Sequence, residues 1–222
     1  MCFGLAWSGV SFSVLVLTAL AFPTDARVVA ALVFLAAKEA IQFCNYLVAE
    51  TCSPTNRALT TLSWIHISFQ PFFINLFISA FSARPELYKL PLVLSLVFGL
   101  ANLLRLRELR GGSITIPCAD QNKRSSMCRK ETCSTPGKYH LAYGFELESA
   151  DSTILPSSFT YYLLTYVPAL VIGDYAIVTI HAAVMGFSVL FARHDIGEAG
   201  ALWCLNTFWI AGWVVLKAKG VF

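Results

Sequence analysis

Long apolar stretches alternate with short polar breaks along most of the chain. Each stretch approaches the roughly 20 residues that a helix needs to cross a hydrocarbon core about 30 Å thick. The breaks contain prolines, glycines and aspartates, which interrupt helices. The pattern therefore predicts an all-α fold, a polytopic integral membrane bundle of about seven transmembrane helices, at residues 5–22, 28–48, 58–81, 90–106, 154–172, 175–192 and 199–216.

The first and fifth segments each leave an alternative open. The first could be read as a signal peptide, but no basic residue precedes it, which favours a retained helix. The fifth is separated from the sixth by Gly173 and Asp174 alone, and its firmly apolar part begins at Phe159. If the fifth segment is re-entrant or interfacial, the count falls to six and the C-terminus changes sides.

Composition supports one transmembrane domain over residues 1–222. Hydrophobic residues make up 57% of the chain and charged residues 13%, whereas a soluble domain carries about 25% charged residues. So few charges cannot solvate the surface of a globule of this size. The net charge of +3 gives no reason to invoke nucleic acid. The predicted partner is therefore the lipid bilayer.

Basic residues do not settle which way the chain crosses the membrane. Near the helix ends, the two sides carry equal numbers of Lys and Arg. The long loop at residues 107–153 adds more, but these lie far from the helix ends, where the positive-inside rule weakens. Orientation must therefore come from another signal.

The cysteines supply that signal. Four of the seven cysteines fall in polar loops on one side, and an even set in such loops is typical of extracytoplasmic disulfides. We therefore predict a disulfide-tied external loop at residues 107–153, an external N-terminus and a cytoplasmic C-terminus. Three pairings remain open, with a bridge from the 49–57 loop to the long loop favoured, among Cys52, Cys118, Cys128 and Cys133.

Two alternatives to the disulfides remain. The cysteines of this set could be free thiols, or Cys118, Cys128 and Cys133 could bind zinc together with His140. Their spacing lacks the paired CxxC units that zinc ribbons use, so the disulfides are favoured.

Several short motifs resemble a family of small, largely uncharacterised multi-pass membrane proteins that begin Met-Cys-aromatic. The most specific is His-Ile-Ser-Phe-Gln-Pro-Phe-Phe-Ile-Asn at residues 66–75, and others are Glu-Ala-Ile-Gln at 39–42, His-Leu-Ala-Tyr at 140–143 and Ala-Leu-Trp-Cys at 201–204. The resemblance implies a multi-helix membrane fold with a cysteine-bearing loop. It implies no particular activity.

Polar side chains inside the predicted spans are the candidate functional residues. An ionisable residue in a transmembrane helix costs roughly 2.5–3.5 kcal/mol on insertion scales, so it usually faces the bundle interior. Helix 2 carries a polar stretch, helix 3 a polar stripe ending at Pro71, and helix 6 two residues on one face. We predict a ligand-binding set of Glu39, Gln42, His66, Gln70, Asp174 and His181.

Each of these residues also has a structural interpretation, because polar side chains often join transmembrane helices by hydrogen bonds. The functional interpretation requires helices 2, 3 and 6 to be mutual neighbours. At least two of Glu39, His66 and His181 should then lie within about 8 Å of each other.

Three functions fit this pattern. The favoured one is a membrane protein that handles a small-molecule or lipid ligand in a polar interior cavity, with its chemistry open. The second is a metal-dependent intramembrane hydrolase or lipid-modifying enzyme, with metal bound by Glu39, His66 and His181 and with Asp174 as an optional fourth ligand. The third is a haem protein or complex subunit, with His66 and His181 as axial ligands. The sequence assigns no cofactor and leaves open whether the protein is an enzyme.

Overall fold

The computed structural model describes residues 4–23, 25–104, 131–145, 158–193, 198 and 206–221. These residues are mostly helical. The helices are α1 (Leu5–Ala21), α2 (Ala26–Tyr46), α3 (Pro54–Ser79), α4 (Lys89–Leu104, preceded by a 3-10 turn at Pro85–Tyr88), α5 (Ser158–Ile172), α6 (Tyr175–Phe191) and α7 (Asn206–Ala218). A two-stranded antiparallel hairpin, β1 (Cys133–Pro136) and β2 (Leu141–Gly144), lies between α4 and α5.

Three of the helical segments are long and apolar enough to cross a membrane: Ala26–Tyr46, Pro54–Ser79 and Pro85–Leu104. Four shorter apolar helices accompany them, at Leu5–Ala21, Phe159–Ile172, Tyr175–Phe191 and Thr207–Ala218. The prediction of a mainly helical fold is therefore confirmed, with three of the predicted spans as candidates, while the two-stranded hairpin was not predicted.

Burial in this bundle is the reverse of that in a soluble protein. Large apolar side chains point outward, with Val171 79% and Phe159 74% exposed. Amide side chains lie inside, with Gln42, Asn45 and Asn75 fully buried. Exposed apolar surface of this extent is typical of membrane or protein–protein contact sites.

Helices α2 and α3 start from side-chain caps. Asp25 accepts a hydrogen bond from the Arg27 backbone N–H, and Ser53 accepts one from Asn56. The Arg27 guanidinium binds the Asp25 carboxylate at 2.7 Å, which lowers the pKa of that carboxyl. Arg27 also donates to the Ser79 carbonyl at 3.0 Å, so it joins the start of α2 to the end of α3.

The hairpin is fastened to the other end of α2 and α3, which we call the hairpin end. A disulfide joins Cys52, in the loop between these helices, to Cys133 at the start of β1, with 5.6 Å between their Cα atoms. This confirms the predicted bridge from the 49–57 loop to the long loop. It also removes Cys133 from the alternative zinc site, while Cys118 and Cys128 lie outside the described residues.

The remaining cysteines lead to the first testable prediction. Cys44 is a free thiol exposed on α2, and we predict a second bridge between Cys118 and Cys128. Thiol labelling of unreduced, denatured protein should therefore modify Cys2, Cys44 and Cys204 alone. Labelling of Cys52 or Cys133 under these conditions would contradict the structure, and labelling of Cys118 and Cys128 would contradict the second bridge alone.

Candidate functional site

The polar stretch of α2 forms a buried charged cluster. The Lys38 ammonium lies 3.4 Å from Glu39 Oε1 and donates to Gln42 Oε1 at 3.1 Å. All three residues are at least 95% buried. Positions 38 and 42 are one turn apart on the same face, so a lysine there reaches the amide directly. The Lys38 charge is thus balanced by one carboxylate and one amide oxygen.

Glu39 keeps one oxygen outside this cluster. Its Oε1 faces Lys38, whereas Oε2 is buried and has no hydrogen-bond partner among the described residues. A carboxylate oxygen is an acceptor that normally binds one or two donors. Oε2 is therefore an open acceptor in the interior.

His66 brings a second open acceptor from α3. Its Nε2 lies 2.8 Å from the Phe34 carbonyl oxygen. A carbonyl can only accept, so Nε2 carries the proton and Nδ1 carries the lone pair. The imidazole lies within a stack in which the Phe34 ring packs at 3.8 Å against both His66 and Phe73. Nδ1 is buried and has no hydrogen-bond partner in the described part of the chain.

The contact with Phe34 also fixes the depth of His66. In a helix, the carbonyl of residue 34 points along the axis toward the amide of residue 38. A group that binds this carbonyl from α3 therefore lies near the level of Lys38 and Glu39. The two halves of the predicted site, on α2 and on α3, meet at this level.

Gln70 lies one turn beyond His66 on the same face of α3. Its Oε1 accepts a hydrogen bond from the Tyr161 hydroxyl of α5 at 2.7 Å, and its side chain is 2% exposed. Its Nε2 has no partner among the residues described. Pro71 follows directly and, because it has no N–H, leaves the Ile67 carbonyl without its helical bond. This part of α3 therefore offers a donor and an extra acceptor.

Hydrogen-bonded asparagine side chains lie between this part of α3 and the hairpin end. Asn45, on the same stripe of α2 as Lys38 and Gln42, donates to Ser63 at 3.3 Å and accepts from the Ser134 hydroxyl at 3.0 Å. Asn56 also binds Ser134, which lies in β1. Its Oδ1 accepts from the Ser134 backbone N–H at 2.9 Å, and its Nδ2 donates to the Ser134 carbonyl at 2.8 Å. The hairpin thus covers the end of the polar stripe.

Asp174 does not join this site. Its Oδ2 accepts a hydrogen bond from the Tyr88 hydroxyl at 2.8 Å, just before α4. The neighbouring Arg84 guanidinium donates to the Ile172 carbonyl at the end of α5. These contacts lie at the end of the bundle opposite the hairpin, where they hold the α5–α6 turn against the start of α4. Asp174 therefore joins helices instead of lining the α2–α3 interior.

His181 is buried, but in another part of the bundle. Its ring packs edge-on against Tyr166 of α5 at 5.3 Å and Trp209 of α7 at 5.6 Å. Trp209 in turn contacts Phe77, which lies eleven residues, or about 16 Å, beyond His66 along α3. The predicted grouping of Glu39, His66 and His181 therefore divides into two separate places.

This arrangement bears on the metal and haem hypotheses. Among the described residues, the ligand atoms of Cys52, Glu131 and Cys133 lie close enough together to bind a metal ion. The two sulfurs of this group are already joined in a disulfide. No grouping in this part of the chain includes Glu39, His66 or His181. His66 also uses Nε2 on the Phe34 carbonyl.

Sequence reasoning missed the residues that hold the hairpin. Glu198, between α6 and α7, accepts three backbone hydrogen bonds from the hairpin turn, from Lys138, Tyr139 and His140 at 2.8–3.1 Å. A Cβ at Gly137 would come within 2.5 Å of both the Glu198 carboxyl carbon and the His140 carbonyl oxygen. A glycine inside a short polar segment was the available signal, because glycine often marks a close backbone approach.

These features define an α-helical protein with a membrane-type surface, a buried polar interior and a disulfide-bonded hairpin at one end. The chain belongs to the family of unknown function DUF5765, which matches residues 2–219. This confirms the resemblance to an uncharacterised family. No curated protein matches the chain, and no solved structure does so either.

Proposed function

We propose that this protein is a multi-pass membrane protein that binds a small polar molecule, or the polar group of a lipid, between α2 and α3. Glu39, Gln42, His66 and Gln70 would line the site. The observation that carries this proposal is three buried side-chain atoms without a partner among the described residues: Glu39 Oε2, His66 Nδ1 and Gln70 Nε2.

The free-energy cost of unpartnered buried atoms favours a ligand site between α2 and α3 over a purely structural hydrogen-bond network. Each buried polar atom left without a partner costs about 1–3 kcal/mol. The Asn45 network nearby does avoid it, since its amide both donates and accepts. A ligand that bonds the three open atoms would recover the lost free energy.

The same atoms indicate the chemistry of the ligand. Two are acceptors and one is a donor, so the ligand must both donate and accept hydrogen bonds. Lys38 already balances the Glu39 charge at 3.4 Å, and this favours a neutral ligand. A hydroxyl or amide group meets all of these conditions, whereas a free carboxylate or a metal ion does not.

A comparison of unfolding free energies tests whether His66 lies in a ligand site or has a purely structural role. His66→Phe keeps a ring stacked on Phe34. It removes both the hydrogen bond to the Phe34 carbonyl and the open Nδ1, and because these two changes oppose each other, the unfolding free energy of ligand-free protein should change by less than about 1 kcal/mol. Asn45→Leu is the matched control, because it removes two buried hydrogen bonds, one to Ser63 and one from Ser134, and should lose about 1–3 kcal/mol. Equal losses in the two variants would mean that His66 is structural.

We also propose that all seven helices cross the membrane, with the N-terminus outside and the C-terminus in the cytoplasm. The shorter helices support this through their outward faces, since Leu20 of α1, Val171 of α5 and Leu190 of α6 are each more than 60% exposed. The Cys52–Cys133 bridge supports an external hairpin, because disulfides persist in oxidising compartments.

Reporter fusions test this topology. A reporter fused after Phe222 should read cytoplasmic, and one inserted near Ser126 should read external. If α5, α6 and α7 all span, three crossings separate these points, and the two reporters lie on opposite sides. If both reporters read the same side, α5 does not cross and the bundle has six spans.

A further inference from the structure

Two serines on α1 have buried hydroxyls that no described residue binds. Ser8 and Ser11 are both 0% exposed, and neither Oγ has a hydrogen-bond partner among the described residues. Ser13 and Thr18 of the same helix instead donate to backbone carbonyls one turn back, at 2.9 and 2.7 Å. Helical hydroxyls often bond in this way. The open hydroxyls of Ser8 and Ser11 are therefore not a general property of α1.

The contacts of α1 show which way these two serines face. The Trp7 ring packs against an aromatic ring of α7, with 5.1 Å between their centroids. On another face of α1, a Cβ at Gly9 would lie 3.8 Å from the Phe43 ring of α2. The serines lie between these two contacts, at about 40° and about 100° around the helix from Trp7, whereas Gly9 lies at about 200°. Ser11 and Ser8 therefore face the bundle interior between α7 and α2.

Helix α2 turns Glu39 toward the same interior. Asn45 marks the side of α2 that faces α3, because its amide donates to Ser63. Phe43 marks the side that faces α1. Counted around α2 from Asn45, Glu39 lies at about 120° and Phe43 at about 160°. The open Glu39 carboxylate oxygen thus belongs to the arc between α3 and α1.

The depths of these residues also agree. Helices α1 and α2 are joined by residues 22–25, so the start of α1 lies beside the end of α2. From the level at which Gly9 meets Phe43, Ser11 lies about 3 Å deeper along α1 and Glu39 about 6 Å deeper along α2. Ser11 and Glu39 are therefore level to within one helical turn, and Ser8 lies nearer the hairpin end.

Together, the open groups define what a ligand must offer. Glu39 Oε2 and His66 Nδ1 can only accept, Gln70 Nε2 can only donate, and the serine hydroxyls can do both. Gln70 lies about 6 Å beyond His66 along the bundle axis, and Ser11 lies on the opposite side of that level. A hydrogen bond spans only about 3 Å. One hydroxyl or amide cannot reach all of these groups, so the ligand must carry several.

We propose that α1 forms a third wall of the ligand site, and that the ligand is a neutral polyhydroxyl group, either a free polyol or sugar or the headgroup of a lipid. Ser8 and Ser11 bind its hydroxyls from α1, while Glu39 and His66 accept hydrogen bonds from it on α2 and α3. Hydroxyls suit all of these groups because each one both donates and accepts. The inference rests on the proposed function, which supplies the α2–α3 part of the site.

A count of hydroxyl groups tests the chemistry of the ligand whatever its identity. The non-protein molecule released from wild-type protein in nanodiscs of its own membrane lipids is treated with acetic anhydride. Mass spectrometry before and after treatment counts the acetyl groups gained, and we expect two or more. Solvent extraction separates the two sources, since a lipid enters the organic phase and a free polyol stays in water. A gain of one acetyl group or none would overturn the proposal.

The role of α1 is tested by the double variant Ser8→Ala, Ser11→Ala. Alanine favours a helix, and it removes only hydroxyls without a partner in the described chain, so the variant should fold. The ratio of ligand-bound to ligand-free protein in native mass spectra should fall by about tenfold or more, because two hydrogen bonds to the ligand are lost. The matched control is Ser13→Ala, whose exposed hydroxyl bonds its own helix. It should keep the ratio within about twofold.

The outcomes distinguish this inference from the proposed function. A wild-type protein that retains no ligand would overturn both. A ligand that is lost in His66→Phe, yet retained equally in the double serine variant and in Ser13→Ala, would leave the α2–α3 site in place and overturn the third wall on α1 alone.

Discussion

Replacing Asn56 with alanine is expected to detach the hairpin and lower the free energy of unfolding by about 3–5 kcal/mol. The Asn56 amide nitrogen, which carries two hydrogens, lies 2.8–3.1 Å from the carbonyl oxygens of Val48, Thr51 and Ser134. Its oxygen accepts from Thr60 at 3.0 Å and from both the N–H and the hydroxyl of Ser134, at 2.9 and 3.1 Å. Alanine would leave the buried backbone N–H and carbonyl of Ser134 and the Thr60 hydroxyl without this partner.

The measurement is denaturant unfolding of the purified protein, with hydrogen exchange of residues 133–144 as a local readout. Thr61→Ala is the matched control, because this exposed hydroxyl, in the next turn of α3 beyond Arg57, makes a single bond to the Arg57 carbonyl. It should change stability by less than about 0.5 kcal/mol. An Asn56→Ala protein as stable as the control would show that the network does not hold the hairpin.

Replacing Lys38 with methionine is expected to have the second large effect, a loss of about 3–5 kcal/mol. Lys38 and Glu39 are both at least 95% buried, and the ammonium also bonds Gln42. Methionine fills a similar volume but leaves the Glu39 carboxylate as an uncompensated charge in the interior. The protein would respond by unfolding more easily or by taking up a proton at Glu39.

The double variant Lys38→Met, Glu39→Leu separates charge from packing. A buried ion pair replaced by apolar residues of similar volume is often neutral or stabilising. Stability should therefore return to within about 1 kcal/mol of the wild-type protein in the double variant. If the stability losses of the single variants Lys38→Met and Glu39→Leu simply add in the double variant, the two charges do not interact and do not form the ion pair described above.

Much of the helical framework could be predicted from hydropathy alone. The predicted segment at residues 28–48 became Ala26–Tyr46, and the segment at 175–192 became Tyr175–Phe191. Apolar length and helix breakers are local properties, so a single sequence contains them. The fifth helix begins at Ser158, close to the onset of the firmly apolar residues at Phe159.

The hairpin could not be predicted in the same way. Its β1 strand reads Cys-Ser-Thr-Pro, which has neither the apolar alternation nor the β-branched content of a strand. The strand exists because Asn56 and Cys52 hold it directly, while Glu198 holds the turn that follows it. Contacts between residues more than 50 positions apart leave no local pattern.

The candidate site was predicted in part for a similar reason. Spacing correctly places His66 and Gln70 on one face of α3 and puts Gln42 inside the bundle. It cannot say which helix lies opposite each face. Asp174 and His181 share a face of α6, yet one meets Tyr88 and the other Tyr166 and Trp209.

The measurement that tests the central claim most directly is native mass spectrometry of the protein released from nanodiscs made with its own membrane lipids. We predict that the wild-type protein retains a non-protein mass bearing a hydroxyl or amide group. His66→Phe should lose most of it, whereas His181→Phe, which changes a buried histidine elsewhere in the bundle, should retain it. Identical spectra for the wild-type and His66→Phe proteins would contradict a ligand site between α2 and α3.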